Sequence, residues 1–265
     1  MYQFEFLRPN SLEDAARLFR DNGDAKYLAG GQTLIPSLKQ RLAQPTALID
    51  LTRLDDLAGI RDEGRAITIG AATRHADVAT APAVQKALPA LAHLAAHIGD
   101  PAVRNRGTLG GSIANNDPAA DYPAALLALG ATIRTTARTI AADDFFTGMF
   151  ETALSEGEII TGVTFPVPEK AAYAKFPNPA SRYAMVGVFV ARFAGSVRVA
   201  VTGAAPCVFR APAMEEALGK SFSTDAIAGI TIPSNGLNSD LHGTAAYRAH
   251  LVGVMARRAV ATALA

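Results

Sequence analysis

Residues 98–125 have the sequence IGDPAVRNRGTLGGSIANNDPAADYPAA, which is the most informative segment of the chain for predicting its fold. The centre of this segment, Gly107 to Ser112, combines glycines, which let a backbone approach a ligand closely, with hydroxyl groups that suit phosphate oxygens. Its end, Asp117 to Asp121, offers carboxylates that could accept hydrogen bonds from sugar hydroxyl groups. On its own this pattern is weak evidence, because an ordered Gly/Asn loop without a ligand has the same composition.

A second glycine turn lies upstream, in residues 29–34 (AGGQTL), between a predicted strand at 25–29 and a predicted helix at 34–42. Its glycines allow a sharp turn, and the free N–H groups at the start of the helix favour a phosphate. Taken alone, such a pair is at least as often a turn without a ligand. Two segments in one chain indicate more, because they can hold one pyrophosphate from two sides. We therefore expect a dinucleotide bound in an extended form between two subdomains.

The motifs of other nucleotide and metal sites are missing. The sequence contains neither G-x-G-x-x-G nor G-x-x-x-x-G-K-[ST], and no G-x-S-x-G elbow. His93 and His97 stand four residues apart on a predicted helix, but no third metal ligand is evident, so packing or hydrogen bonding is the simpler interpretation. His97 precedes the glycine-rich segment and could therefore face a cofactor.

Composition excludes several classes of protein. The 265 residues are 49% hydrophobic and 18% charged, with a formal net charge of +1, and no basic stripe suggests a nucleic-acid partner. Cys207 is the single cysteine, so the chain cannot supply the roughly four thiolates that an iron–sulfur cluster needs. The N-terminus lacks the pattern of a signal peptide, and no apolar run reaches about 18 residues. The expected location is the cytoplasm, with no integral membrane segment.

Three units are predicted along the chain, at residues 1–57, 58–172 and 173–265. Ser11 is predicted to cap the first helix. We expect one helix over 82–98, a long loop over 99–121 and a proline-rich linker over 166–179. Two strands of a meander are predicted at 184–193 and 197–201, and a long helix at 244–264.

Both glycine segments resemble those of the FAD subunits of the xanthine dehydrogenase and aerobic carbon monoxide dehydrogenase family, the molybdenum hydroxylases. The resemblance rests on AGGQTLIP (29–36) and on the long match over 98–125. It continues through KFPNPASRYAMVGVFVA (175–191), TGAAPCVFRAPAMEEAL (202–218) and HGTAAYRAHLVGVMARRAV (242–260). It therefore covers nearly the whole chain, in the order found in the family.

The resemblance implies an α+β fold: two N-terminal subdomains that clasp FAD, as in the vanillyl-alcohol oxidase-like (PCMH-type) superfamily, and a C-terminal α+β domain with a small antiparallel sheet and helices. It implies a small subunit with two [2Fe–2S] clusters and a large subunit with molybdopterin, with heterotrimers paired into a dimer. The implied role is electron transfer from the clusters through FAD to quinone, NAD or oxygen. The single cysteine agrees with clusters held by a partner, and the complex could associate peripherally with the inner face of the membrane.

Carried over residue by residue, the resemblance implies a cofactor site without a metal or a catalytic residue in this chain. FAD is expected to be non-covalent, because Gln32 offers no covalent link at the first turn. The implied site residues, with His97 and Asp117 added from the sequence pattern, are Ala29, Gly30, Gly31, Gln32, Thr33, Leu34, His97, Thr108, Gly110, Gly111, Ser112, Asn115, Asp117, Asp121, Ile159, Ile160, Lys175 and Tyr183. Lys175 and Tyr183 are expected beside the isoalloxazine ring.

Two other functions remain open from the sequence. One is a stand-alone flavin oxidoreductase of the same superfamily, which would need its own substrate pocket. The other is a nucleotide-binding scaffold without a redox role. A flavin absorption spectrum distinguishes the scaffold from both enzymes, and co-purifying iron and molybdenum distinguish the subunit from the stand-alone enzyme.

Overall fold

A computed structural model describes all 265 residues. The first unit is a small parallel sheet in the strand order β1-β3-β2, flanked by two helices. The central strand β3 is buried at every residue, as expected for a strand covered on both faces. The Ser11 hydroxyl accepts a hydrogen bond from the Asp14 N–H group at 3.1 Å, which confirms the predicted cap. The elements are β1 (Glu5–Leu7), α1 (Leu12–Asp21), β2 (Lys26–Leu28), α2 (Leu34–Lys39) and β3 (Ala47–Asp50).

The second unit is a five-stranded antiparallel sheet in the order β4-β5-β10-β6-β7, with a two-stranded ribbon, β8-β9. Helix α8 forms the centre of its core and is buried at all eight residues. The elements are β4 (Ile60–Asp62), β5 (Ala66–Gly70), α3 (His75–Thr80), α4 (Pro82–Ala87), α5 (Pro89–Ala96), α6 (Pro101–Arg104), α7 (Leu109–Asn115), α8 (Tyr122–Leu129), β6 (Thr132–Thr135), β7 (Thr139–Ala141), α9 (Ala142–Phe145), β8 (Phe146–Gly148), β9 (Glu151–Thr152) and β10 (Ile160–Pro166).

The third unit is a four-stranded antiparallel sheet with helices on one face. Its side chains alternate: Val188 and Val190 belong to the core under the two terminal helices, whereas Phe189 joins the core of the second unit. The sheet is therefore packed on both faces, and the third unit is fixed against α5 and α8. Its elements are β11 (Lys170–Pro177), β12 (Ala184–Phe193), β13 (Ser196–Thr202), β14 (Phe209–Arg210), α10 (Pro212–Lys220) and α11 (Ala245–Leu264).

The predicted linker over 166–179 is wrong, because most of it is strand β11. The strand lies at the edge of its sheet and pairs only with β12. Pro166 ends the preceding strand and Pro177 ends β11, so the prolines interrupt no ladder between two neighbours. The predicted boundary between residues 172 and 173 falls inside this strand. We therefore propose that the third unit begins at Lys170.

Two helix predictions also need correction. The expected loop over 99–121 contains α6 and α7. Composition disfavours a glycine-rich helix, but contacts between Gly110 and Ala71 stabilise α7. The expected single helix over 82–98 is broken into α4 and α5, since Pro89 has no N–H group and forces Leu88 out of the helical conformation.

No helix of the chain is both long enough and apolar enough to cross a membrane.

Candidate functional site

The two glycine segments touch each other through their backbones. A Cβ atom at Gly30 would overlap the carbonyl group of Arg106 and lie 2.7 Å from the Cα atom of Gly107. Gly31 has a φ angle of 72°, in the left-handed region that favours glycine. Only glycine at position 30 allows this contact, and the contact forms one wall of a cavity.

Helix α7 begins in the second glycine segment. The hydroxyl oxygen of Thr108 caps it by accepting a hydrogen bond from the Gly111 N–H group at 3.1 Å. Gly110 packs on Ala71, and a Cβ atom at residue 110 would lie 2.6 Å from the Ala71 Cβ atom. Both glycines line the cavity, but a Cβ atom at Gly111 would meet only the Thr108 hydroxyl and, at 3.6 Å, Ala29. One glycine therefore serves packing, and the next keeps the cavity open.

The cavity between the segments has a volume of about 720 Å³, within the range of roughly 300–1,000 Å³ of small-molecule sites. The first two units supply most of its wall, and the third unit supplies part of the rim. The structure brings most of the predicted site residues to this wall, namely Ala29, Gly30, Gly31, Gln32, Thr33, Leu34, Thr108, Gly110, Gly111, Ser112, Asn115, Asp117, Asp121, Ile159, Ile160 and Tyr183.

One part of the wall is apolar. Ile159 and Ile160 lie beside Leu51 and Leu57, which come from the chain that links the first unit to the second. All four side chains are buried by more than nine-tenths. A planar ring that binds here would lose its contact with water at little cost in hydrogen bonds.

A buried carboxylate stands on another part of the wall. Asp121 is 4% exposed and accepts hydrogen bonds from the Tyr173 hydroxyl at 2.5 Å and from the Lys175 ammonium at 3.0 Å. Burial raises the pKa of Asp121, and the Lys175 charge and the Tyr173 hydroxyl oppose that rise by stabilising the carboxylate. The ion pair joins the cavity wall to strand β11.

Lys175 and His97 do not line the cavity. The Lys175 side chain is 8% exposed and lies behind Asp121, where its ammonium also donates to the His97 carbonyl oxygen at 3.0 Å. The imidazole of His97 lies 2.8 Å from the His93 carbonyl oxygen and packs against the His93 ring. The structure therefore places Lys175 as the partner of Asp121.

The third unit also holds the end of the long glycine-rich segment. The Thr202 hydroxyl donates to the Ala120 carbonyl oxygen at 2.5 Å, and the Gly203 N–H group donates to the Pro118 carbonyl oxygen at 2.8 Å. Asp121 follows directly. Its position is therefore set by the third unit, and the third unit takes part in shaping the cavity.

Tyr183 stands at the rim on a tight turn. The Asn178 N–H group donates to the Tyr183 carbonyl oxygen at 2.8 Å, and Arg182 has a left-handed φ of 62°. The Tyr183 ring is 48% exposed. Partial burial, followed by the charges of Asp117 and Asp121, raises its pKa, so the hydroxyl stays protonated at neutral pH.

Several wall residues were not predicted from the sequence, among them His75 and Phe150. His75 is 4% exposed and is the first residue of α3, in a segment that contains no recognised ligand-binding motif. Phe150 is 56% exposed at the rim, where its N–H group donates to the Asn116 carbonyl oxygen. Asn116 also donates from its amide to Gly148 and Glu151, and so ties the ribbon β8-β9 to the end of α7. These contacts depend on residues more than 30 positions apart, so local spacing could not show them.

The wall has the parts that an extended dinucleotide requires. A glycine backbone leaves space that a Cβ atom would fill, and an apolar strip and a carboxylate lie beyond it. The imidazole of His75 stands on the same wall and makes no hydrogen bond within the protein, so its ring is available to a ligand. Fold and cavity together define a dinucleotide-binding protein.

Comparison with known families identifies the nucleotide. Residues 2–168 match the family described as "FAD binding domain in molybdopterin dehydrogenase". Residues 171–263 match the family described as "CO dehydrogenase flavoprotein C-terminal domain".

Several full-length relatives agree. The chain is 38% identical to the nicotine 6-hydroxylase medium subunit of Paenarthrobacter nicotinovorans, covering 97% of this chain and 96% of that one. It is 38% identical to the carbon monoxide dehydrogenase medium chain of Hydrogenophaga pseudoflava, covering 99% and 98%. Among solved structures, carbon monoxide dehydrogenase from the same organism superposes with a TM-score of 0.89 at 39% identity, covering 99% of this chain and 98% of that one. Quinoline 2-oxidoreductase from Pseudomonas putida 86 also gives a TM-score of 0.89, at 30% identity with 99% and 97% coverage.

The chain belongs to the FAD-binding medium subunits of carbon monoxide dehydrogenase-like molybdenum hydroxylases. It is an oxidoreductase subunit, and its cofactor is FAD. The expected fold class, recognised from the glycine segments, is confirmed.

Proposed function

We propose that this chain is the electron relay of a heterotrimeric molybdenum hydroxylase. An iron–sulfur small subunit delivers electrons taken from the substrate at a molybdopterin large subunit, and the medium chain passes them to an external acceptor such as quinone, NAD or oxygen. The observation that supports this role is the FAD cavity in a chain without ligands for a cluster: Cys207 is the single cysteine. FAD, when bound, supplies a centre that accepts one or two electrons.

The residues of this chain bind and orient the cofactor. We infer that residues 29–34 and 108–112 hold the pyrophosphate, and that Asn115 and Asp121 hold ribityl or ribose hydroxyl groups. Ile159 and Ile160, which line the cavity, would pack against the adenine or the isoalloxazine ring, and Tyr183 would shield the ring at the rim. Lys175 acts through Asp121, since it does not reach the wall.

The first test is the composition of the native complex. When this chain is tagged and purified from its own cells, iron, molybdenum and flavin are expected to elute together with two further polypeptides. Metal analysis and the flavin absorption spectrum of the same fractions measure this. Flavin without iron or molybdenum would favour a stand-alone oxidoreductase, and a colourless chain would favour a scaffold.

The second test concerns how FAD is attached. Gln32 stands on the wall at the first turn, and covalent flavin links generally need a His or Cys side chain. We expect trichloroacetic acid to release all of the yellow flavin into the supernatant. Colour that stays with the precipitate would contradict this, and would point to His75, the one histidine on the wall.

A further inference from the structure

His75 is fixed against the second glycine segment. Its backbone N–H group donates to the Gly107 carbonyl oxygen at 3.0 Å. The backbone N–H group of Leu109 donates to the Thr73 carbonyl oxygen, also at 3.0 Å. A Cβ atom at Gly107 would lie 2.6 Å from the His75 Nε2 atom. The imidazole is therefore held beside the backbone of that segment, on the wall of the cavity.

The ring makes no hydrogen bond within the protein. Its Nδ1 atom is sealed from solvent without a partner, and so is the hydroxyl of Tyr122, whose ring centroid lies 5.4 Å from that of His75. The two rings pack against each other, but the Tyr122 hydroxyl and Nδ1 do not hydrogen-bond. An imidazole that lines a cofactor cavity without any hydrogen bond needs an explanation that packing alone does not give.

The imidazole is neutral at physiological pH. Burial, helped by the charge of Arg104, lowers the pKa of His75 to about 4. A neutral imidazole has one N–H donor and one acceptor nitrogen. Of the two ring nitrogens only Nδ1 is sealed from solvent, so a ligand in the cavity would meet Nε2.

We propose that His75 is a binding residue for FAD and that its Nε2–H group donates a hydrogen bond to an acceptor atom of the cofactor. The proposal rests on FAD occupying this cavity.

Substitutions at His75 separate binding from structure. His75→Phe keeps a ring of similar shape and removes both nitrogens. We expect it to weaken FAD binding about 10- to 100-fold, as for the loss of one buried hydrogen bond. The same change removes an unsatisfied polar group, so the melting temperature of the FAD-free chain should stay the same or rise. His75→Gln retains an N–H donor and should recover most of the affinity.

The experiment is a fluorescence titration of the FAD-free full chain with FAD, paired with thermal melts without FAD. A wild-type chain that binds no FAD, either alone or in its purified complex, would overturn the proposed function, and this inference with it. A wild-type chain that binds, together with a His75→Phe chain of equal affinity, would overturn this inference alone.

A spectroscopic measurement covers the case in which His75→Phe does not fold. The chain has five histidines, so ¹⁵N-imidazole labelling gives a small spectrum in which His75→Gln identifies the signal. Adding FAD should hold His75 in the Nε2–H tautomer and shift that proton downfield. A signal that FAD leaves unchanged would overturn the proposal.

Discussion

Lys175→Met is expected to lower the free energy of unfolding by about 3–5 kcal/mol at neutral pH, the usual cost of leaving one member of a buried ion pair alone. Asp121 is 4% exposed, and without the ammonium its carboxylate would keep only the Tyr173 hydroxyl as a partner. Urea denaturation of the FAD-free chain, followed by circular dichroism, measures the change.

The control is an ion pair at the surface. The Lys220 Nζ atom lies 2.6 Å from the Glu216 Oε1 atom, and the two side chains are 74% and 72% exposed. Lys220→Met should therefore change stability by less than about 1 kcal/mol. If the two lysine variants lose similar amounts, the buried pair does not have the role given to it here.

The pH dependence of the Lys175→Met chain gives a second check. Burial already raises the pKa of Asp121, and loss of the ammonium should raise it further. A raised pKa in the folded state means that the folded chain gains stability as the carboxyl group becomes protonated. The deficit of the variant should therefore be largest at neutral pH and shrink as the pH falls. Adding Asp121→Asn, which is neutral and of similar shape, should recover part of the loss.

This result would change how Lys175 is understood. From the resemblance, the lysine was expected beside the isoalloxazine ring, where its charge would stabilise the reduced flavin. The structure places it behind Asp121, with its ammonium on that carboxylate and on the His97 carbonyl oxygen. A loss of FAD affinity in Lys175→Met would therefore follow from movement of Asp121 and of the wall next to it.

Features set by neighbouring residues could be predicted from the sequence. The cap at Ser11, the two strands joined at Gly195, and the terminal helix each depend on contacts within a few positions. The two glycine segments were also predictable as sites of close backbone approach, because few other residue types allow it. Their contact with each other was expected only from the idea that they share one ligand.

Features set by distant residues could not be predicted in the same way. Helix α7 contains Gly110 and Gly111, which disfavour a helix by about 1 kcal/mol each. It forms because Gly110 donates to the Ala71 carbonyl oxygen and packs on that residue. The pairing of Lys175 with Asp121 spans 54 positions. Local composition does not predict contacts between distant residues. For the same reason the sequence did not predict that His75 lies on the cavity wall.

The contact between the two glycine segments makes Gly30 the most sensitive position of the site. A Cβ atom there meets the Arg106 carbonyl and Gly107 Cα, and backbone on both sides cannot move aside as a flexible side chain can. Gly30→Ala should therefore separate the segments and weaken FAD binding by roughly 100-fold or more, about 2.7 kcal/mol. Gly111→Ala should weaken binding less, because its new methyl group meets only a hydroxyl and one Cβ atom.

Gly219→Ala in α10 provides the matched control, since a Cβ atom at residue 219 has no neighbour within 4 Å. Alanine should leave FAD affinity unchanged there and stabilise the helix slightly. Titration of each FAD-free variant by flavin fluorescence, with circular dichroism to show that it is folded, ranks the three positions. The expected order of loss is Gly30, then Gly111, then Gly219. A folded Gly30→Ala chain that binds FAD as tightly as the Gly219→Ala chain would show that the cofactor does not depend on the approach of the two segments, and the site would have to be sought elsewhere on the wall.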